Sequence, residues 1–225
     1  MTSSTVREGI IEELFKPARR NYPRMKIQVR GLYETLSIDL VDMQKYAHQN
    51  KNFKYILTMI DNFSKFAWAF PLKSKSGKEV AATLAKVING QLPIKNLMAD
   101  EGNEFFNVNV RALLKRHGGI NLYHSYSPIK AAIIERFNRT LRHLMHPEFM
   151  QQGNVKWLDL LPKLVDRYNH TKHRTIKMTP IEATNPAKEQ EIFKKIYRKT
   201  KVVKKEKNPK FKVKKIFFSL KNYIS

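Results

Sequence analysis

A mixed α/β fold is the class this chain predicts: five strands, three antiparallel and two added in parallel, with helices on both faces. Three observations point there. Three β-competent runs follow one another through short polar turns between residues 36 and 72. Two further short apolar runs, at 94–100 and 120–126, each follow a segment of helical period. Two helical patterns then close the order. Runs joined by short turns make an antiparallel meander, whereas strands reached through a helical crossover join in parallel.

The elements follow in order. Leu36–Asp42 (LSIDLVD) is apolar with one acid in its middle, and the polar turn His48–Asn52 separates it from Phe53–Asp61 (FKYILTMID). Lys65–Leu72 (KFAWAFPL) is the third strand, closed by Pro71 and the basic Lys73–Lys75 stretch. Glu79–Asn89 switches to helical period, with Val80, Leu84 and Val87/Ile88 on one face and Gly90 as a stop. Ile94–Asp100 is a short strand ending in an acid. Asn107–His117 places Val110, Leu113 and Leu114 at helical spacing before Gly118-Gly119. Ile120–Tyr126 is the fifth strand, punctuated by Ser127-Pro128. A basic helix spans about Ala131 to Leu144, and Trp157, Leu158, Leu161, Leu164, Val165 and Tyr168 form the stripe of another. Pro162 either kinks that helix or opens its second part.

With 225 residues, 42% hydrophobic and 11% aromatic, the chain has ample material for a core. It has no cysteine, which excludes disulfides, thiolate zinc sites, iron–sulfur clusters and thiol nucleophiles. Its histidines lack paired-ligand spacing. No apolar run approaches the roughly 18–20 residues that span a bilayer, and the acid-bearing N-terminus does not read as a secretory signal. The net charge of +24 points to a polyanionic partner, nucleic acid or an anionic membrane surface. No amphipathic pattern joins a basic face to bulky apolar anchors, which disfavours the membrane.

The charge is concentrated but not confined. Residues 194–215 hold twelve Lys/Arg, Lys204 and Lys205 among them, against the single acid Glu206. The reading therefore divides the chain into a basic lead-in at 1–34, broken by Pro17 and Pro23, a folded core with C-terminal helices at 35–193, and a basic tail at 194–225.

In so basic a chain the informative residues are carboxylates that packing does not explain. Asp39 sits mid-strand between Ile38 and Leu40, where an unpaired carboxylate costs several kcal/mol. Asp100 ends a strand, and Glu135 lies in the first turns of the basic helix. Carboxylates from separate elements gathered at one sheet edge suit metal-assisted phosphoryl transfer, because magnesium prefers hard oxygen ligands and two ions can hold the attacking and leaving oxygens. Other readings stand beside this one. Asp42 is an alternative ligand, although it shares the side of Ile38 and Leu40 while Asp39 does not. Asp100 also suits a turn, and Glu135 an ion pair with Arg139 at i+4. Asp61-Asn62 reads as a turn, and Glu101 and Glu104 as acids near a helix start. Asn138, Arg139 and Arg142 follow Glu135 at i+3, i+4 and i+7, where guanidiniums would set phosphate backbone beside the acid.

The segments DLVDM (39–43), KYILTMIDNFSKFAWAFPLKSKSGKEVA (54–81), ADEGNEFF (99–106), SPIKAAIIERFNRTLR (127–142) and RYNHTKHRTIKMTPIEA (167–183) resemble the integrase core of retrovirus-like elements, and look most like integrases of Maverick/Polinton-type transposons. The resemblance implies a ribonuclease-H-like fold and places the family's Asp-Asp-Glu triad on Asp39, Asp100 and Glu135 as catalytic and metal-binding residues. The last two are 35 positions apart, as the family pattern expects. It further implies two Mg²⁺ or Mn²⁺ ions, DNA as partner, trimming of element ends followed by strand transfer, and a homo-oligomer; the basic tail, read as an import signal, adds an expectation of nuclear location. No membrane and no small-molecule cofactor are expected. The DNA-binding residues expected are Lys130, Arg136, Asn138, Arg139, Arg142, Lys204 and Lys205. Lys130-Ala131 stands where retroviral cores carry Gln-Gly. NPKFKVKKIFFSLKNYIS looks like the start of a small β-rich DNA-binding module that then stops. The rivals are a catalytically reduced DNA-binding remnant and a ribonuclease-H-type metal-dependent nuclease.

The charge distribution generates a first prediction. Removing residues 194–225 should make the dependence of log affinity for DNA on log salt less steep, because fewer counterions are released. Anisotropy titrations over a salt series check it, and an unchanged slope would mean that the tail touches no phosphate.

Overall fold

The computed structural model describes residues 29–124 and 132–197, so the lead-in up to residue 28, Lys130, Lys204 and Lys205 lie outside the described residues. Five strands, β1 (Thr35–Asp42), β2 (Tyr55–Asp61), β3 (Ala67–Leu72), β4 (Asn96–Ala99) and β5 (Asn121–His124), form one sheet in the order β3-β2-β1-β4-β5. β1 pairs antiparallel with β2 and parallel with β4; β2–β3 is antiparallel and β4–β5 parallel. The meander with two parallel additions is thus the observed sheet, with β1 at its centre.

β1 begins one residue before its expected run, β2, β3 and β4 are shorter than theirs, and the helices differ for identifiable reasons. α1 (Gly77–Ile88) starts two residues ahead of the expected Glu79, because Ser76 caps it and accepts the Glu79 N–H. The Glu79 carboxylate in turn accepts the Lys73 and Ser74 N–H groups at 2.7 and 2.8 Å. α2 (Val108–Arg116) is capped by Asn107, whose Oδ1 accepts from Asn109 and Val110.

α3 (Ala132–Gln152) runs well past Leu144, where the sequence reading stopped it, and carries Pro147 inside. Its buried row of Ile134, Phe137, Leu141 and Met145 holds the helix together through tertiary packing. Gly153, at φ +63°, takes the left-handed conformation that ends it. Of the two expectations at Pro162, the second is found: Pro162 stands in the first turn of α4 (Leu161–Asn169). A 3-10 helix at Gln44–Gln49 occupies part of the expected polar turn. α5 (Glu189–Tyr197) follows two short 3-10 turns that the sequence reading did not separate.

Strand parity divides the core. Leu36 and Ile38 of β1 pack with α1 and α2 on one face of the sheet. Val41, with Ile56, Ile60 and Met98, packs with α3, α4 and the buried Trp157 on the other. Val29, Phe63, Ile176, Met178, Ala183 and Ile192 form a third, smaller cluster. Among the described residues no helix is long and apolar enough to cross a membrane.

Asn169 couples α4 to the sheet. Its side chain accepts the Ala67 N–H and donates to the Ala67 carbonyl, both at 2.9 Å, and so acts as a strand partner at the start of β3. Both residues are buried, so Asn169→Ala would leave two backbone groups unpaired. We expect a loss of about 3 kcal/mol, seen in urea unfolding as a lower midpoint at an unchanged m-value.

Candidate active site

The site begins with the register of the central strands. β1 and β4 pair Ser37 with Met98. Two residues further along each chain stand Asp39 and Asp100, one still in β1 and the other just beyond β4. Alternation puts both on the face that carries α3. Asp100 is exposed, whereas Asp39 is only partly accessible.

Burial pushes the Asp39 carboxyl up to about 6, and the nearby Asp100 adds to the rise. The Leu40 N–H, at 2.8 Å from Oδ1, and the Asn138 amide, at 2.7 Å from Oδ2, pull the other way, as does the more distant charge of Arg142. Among the described residues Asp39 makes no ion pair.

α3 forms the other wall. One cavity of about 380 Å³ is lined by Asp39 and by Glu135, Asn138, Arg139, Arg142, His143 and His146. The α3 residues recur every three or four positions and so share one helix face. Asn138 differs from its neighbours. It is only 5% exposed, holds Asp39 through Nδ2, and leaves its buried Oδ1 without a partner among the described residues. Glu135, Arg139 and Arg142 are exposed, and Glu135 forms no ion pair with Arg139.

Chemically, the site offers hard oxygens. A half-buried carboxylate, raised chiefly by burial and further by a second one, beside an unpaired amide oxygen, is a donor set that suits a hard divalent cation. As the side chains stand, however, no three His, Asp or Glu among the described residues are close enough to hold a metal ion together.

Comparison with known proteins adds the family. Residues 33–125 match the integrase core domain, a span that includes Asp39 and Asp100 and ends before Glu135. This segment is similar to a retrovirus-like integrase core. The chain is 34% identical over 142 residues to a transposon-derived protein of Caenorhabditis elegans, covering 62% of this chain and 49% of that protein. It is 28% identical over 147 residues to the Gag-Pol polyprotein of gibbon ape leukemia virus, covering 64% of this chain and 8% of the polyprotein. The Pol polyprotein from the Drosophila melanogaster transposon gypsy is 29% identical over 136 residues, with 59% and 13% covered. The chain therefore spans about half the length of the nematode relative and far less of the polyproteins. The mixed sheet is consistent with the ribonuclease-H-like fold.

Of the residues expected to meet DNA, Asn138, Arg139 and Arg142 line the cavity beside Asp39. Arg136 points its charge elsewhere, acting on Lys65 and His173. Lys65 is 7% exposed and donates to the Asn62 carbonyl at 2.6 Å; burial lowers it to about 8 against the attraction of Asp61. His173 Nδ1 accepts the Thr175 N–H, and burial, with Lys65, Arg136 and Arg174, lowers the ring to about 4. Asp61, read as a turn residue, is buried in its turn and accepts from Phe63 and Ser64. His143 and His146 were missed as cavity residues. They continue the Glu135 face at i+8 and i+11, a periodicity that shows only when the helix is carried beyond Leu144.

The raised Asp39 pKa predicts a pH effect with a definite sign. The folded chain holds this proton more tightly than the unfolded chain does, so ionisation weakens folding as pH rises from about 4 to about 6, and the whole cost is present at pH 7. Asp39→Asn removes the charge and keeps an acceptor for Asn138. In EDTA it should stabilise the chain by about 2 kcal/mol near neutral pH, with the gain vanishing on acidification below the ordinary carboxylate range. Urea unfolding at the two pH values checks it.

Proposed function

We propose that the chain is a transposon-derived integrase core that processes DNA ends and joins them to target DNA. The observation that carries this reading is the single cavity shared by Asp39 of β1 and by Glu135, Arg139 and Arg142 of α3, with Asp100 near enough to bear on Asp39. Acids and guanidiniums side by side suit a phosphodiester that must be both gripped and attacked.

Asp39, Asp100 and Glu135 would hold one or two divalent ions. When bound, Mg²⁺ or Mn²⁺ lowers the barrier to in-line displacement at phosphorus by stabilising charge on the attacking and leaving oxygens. The chain's own residues do the rest. Asn138 holds the Asp39 carboxylate in a fixed orientation, and Arg139 and Arg142 seat the backbone phosphates that flank the reacting one. End trimming uses water as nucleophile, and joining uses the 3′-hydroxyl left by trimming. Acting on two ends together calls for at least two copies of the chain, and action on chromosomal DNA for nuclear location.

A DNA-binding remnant is the second reading. The observation that favours it is the lack of a three-acid group among the described residues. Asp100→Asn separates the two. On the integrase reading the substitution abolishes Mn²⁺-dependent nicking and joining of an oligonucleotide carrying the element's terminal sequence, and leaves DNA affinity within about twofold. It also removes the rise in melting temperature that Mn²⁺ alone gives the parent chain. Equal nicking by the variant rejects the assigned site. Cleavage with no joined product favours a ribonuclease-H-type nuclease, and binding with no Mn²⁺ effect favours the remnant.

A further inference from the structure

Beyond the cavity of Asp39 and Glu135, α3 walls a second one. It measures about 240 Å³ and is formed between α3 and the Gln44–Gln49 turn. Arg142 and His146 belong to both linings, so the two cavities are neighbours along one helix.

The second lining differs in chemistry from the first. Tyr46 and Phe149 meet edge to face, with ring centroids 5.6 Å apart. Met145 adds an apolar, polarisable surface. The Lys45 ammonium lies 4.6 Å from the centre of the Tyr46 ring. Asp42 is the one acid of this lining, and its two oxygens already accept from the Gln44 backbone N–H and side-chain amide, at 2.8 and 2.9 Å. Tyr46 and Phe149 both remain partly accessible.

Aromatic rings, a thioether and exposed cations together fit one ligand class. A nucleobase presents a flat apolar face, and the phosphate attached to it needs a cation within a few ångströms. A base inside a duplex has both faces covered by its neighbours, so only an unpaired one can enter such a cavity.

Resting on the DNA-processing reading above, we infer that the Tyr46/Phe149 cavity is a subsite for an unpaired nucleotide of the bound DNA. The base would lie against Tyr46 and Phe149, with its phosphate towards Arg142 and His146 and away from Asp42. Arg142 and His146 line both cavities, so this phosphate is one that flanks the reacting one. The subsite therefore receives a frayed or overhanging nucleotide beside the reacting phosphate, and helps hold the DNA end open.

The test uses the full chain in EDTA, which keeps the DNA intact, and two probes: a blunt duplex, and the same duplex carrying a short single-stranded extension labelled with 2-aminopurine. The parent chain should bind the extended duplex about tenfold more tightly than the blunt one and change the 2-aminopurine emission. Tyr46→Leu and Phe149→Leu, which keep apolar volume, should each lose most of that preference while blunt-duplex affinity stays the same; Tyr46→Phe should retain it. A parent chain that binds both duplexes equally overturns the subsite and leaves the DNA reading standing. So does a Tyr46→Leu chain that loses affinity equally for both. Failure of the parent chain to bind either duplex overturns the subsite and the DNA reading together.

Discussion

A carboxylate in the central strand of a sheet is the constraint around which this molecule is organised. Asp39 cannot leave the α3 side of β1, because Ile38 and Leu40 on the other side are needed in the core with α1 and α2. On its own side it is half-buried and lies near Asp100, just beyond β4, and both influences, burial above all, push its proton affinity up. Only neutral donors touch it among the described residues: the Leu40 N–H and the Asn138 amide. These orient the group without neutralising it. The fold thus keeps negative oxygen in a partly dry place, and positive charge must come from outside the protein's own ion pairs.

α3 serves both as a core element and as the surface of the site. Its inner row, Ile134, Phe137, Leu141 and Met145, is buried against the sheet and α4. The adjoining row of Glu135, Arg139, Arg142, His143 and His146 opens on the cavity. Because the two rows are interleaved on one rigid cylinder, the acid and the basic groups keep fixed spacing. The helix is in turn buttressed by α4: Phe137 packs on Tyr168 with centroids 4.7 Å apart, and Asn169 ties α4 to β3. A motif with no chemistry of its own therefore acts on the site through packing.

Positive charge is managed in two ways. Most of it stays on the surface, where solvation makes it cheap. Lys65 is the exception, a buried ammonium beside Asp61 that donates to a carbonyl in its own hairpin. Burial outweighs the attraction between the partners, since Asp61 is raised and Lys65 lowered. This pair braces the β2–β3 turn and stands apart from the candidate site, although Arg136 of α3 reaches towards it.

Hydrophobic period and turn residues were enough to determine the antiparallel meander, the two parallel additions and the side of β1 on which Asp39 stands, because strand parity and short connections are local properties of a chain; that the additions join beside β1 is seen only in the folded sheet. Asp39, Asp100 and Glu135 stood out as acids in a basic sequence for the same reason. The sequence left undecided the length of α3, whose passage through Pro147 depends on burial of Met145 against distant elements. It also left undecided the inward turn of Asn138 and the outward reach of Arg136, two residues apart on one helix. Those outcomes follow from which neighbour each side chain meets across the core, and such neighbours are brought together by folding, from positions about a hundred residues apart in the case of Asp39 and Asn138. The second cavity is of the same kind: Tyr46 and Phe149, about a hundred positions apart, become a pair only when the chain between them has folded and brought α3 against the Gln44–Gln49 turn.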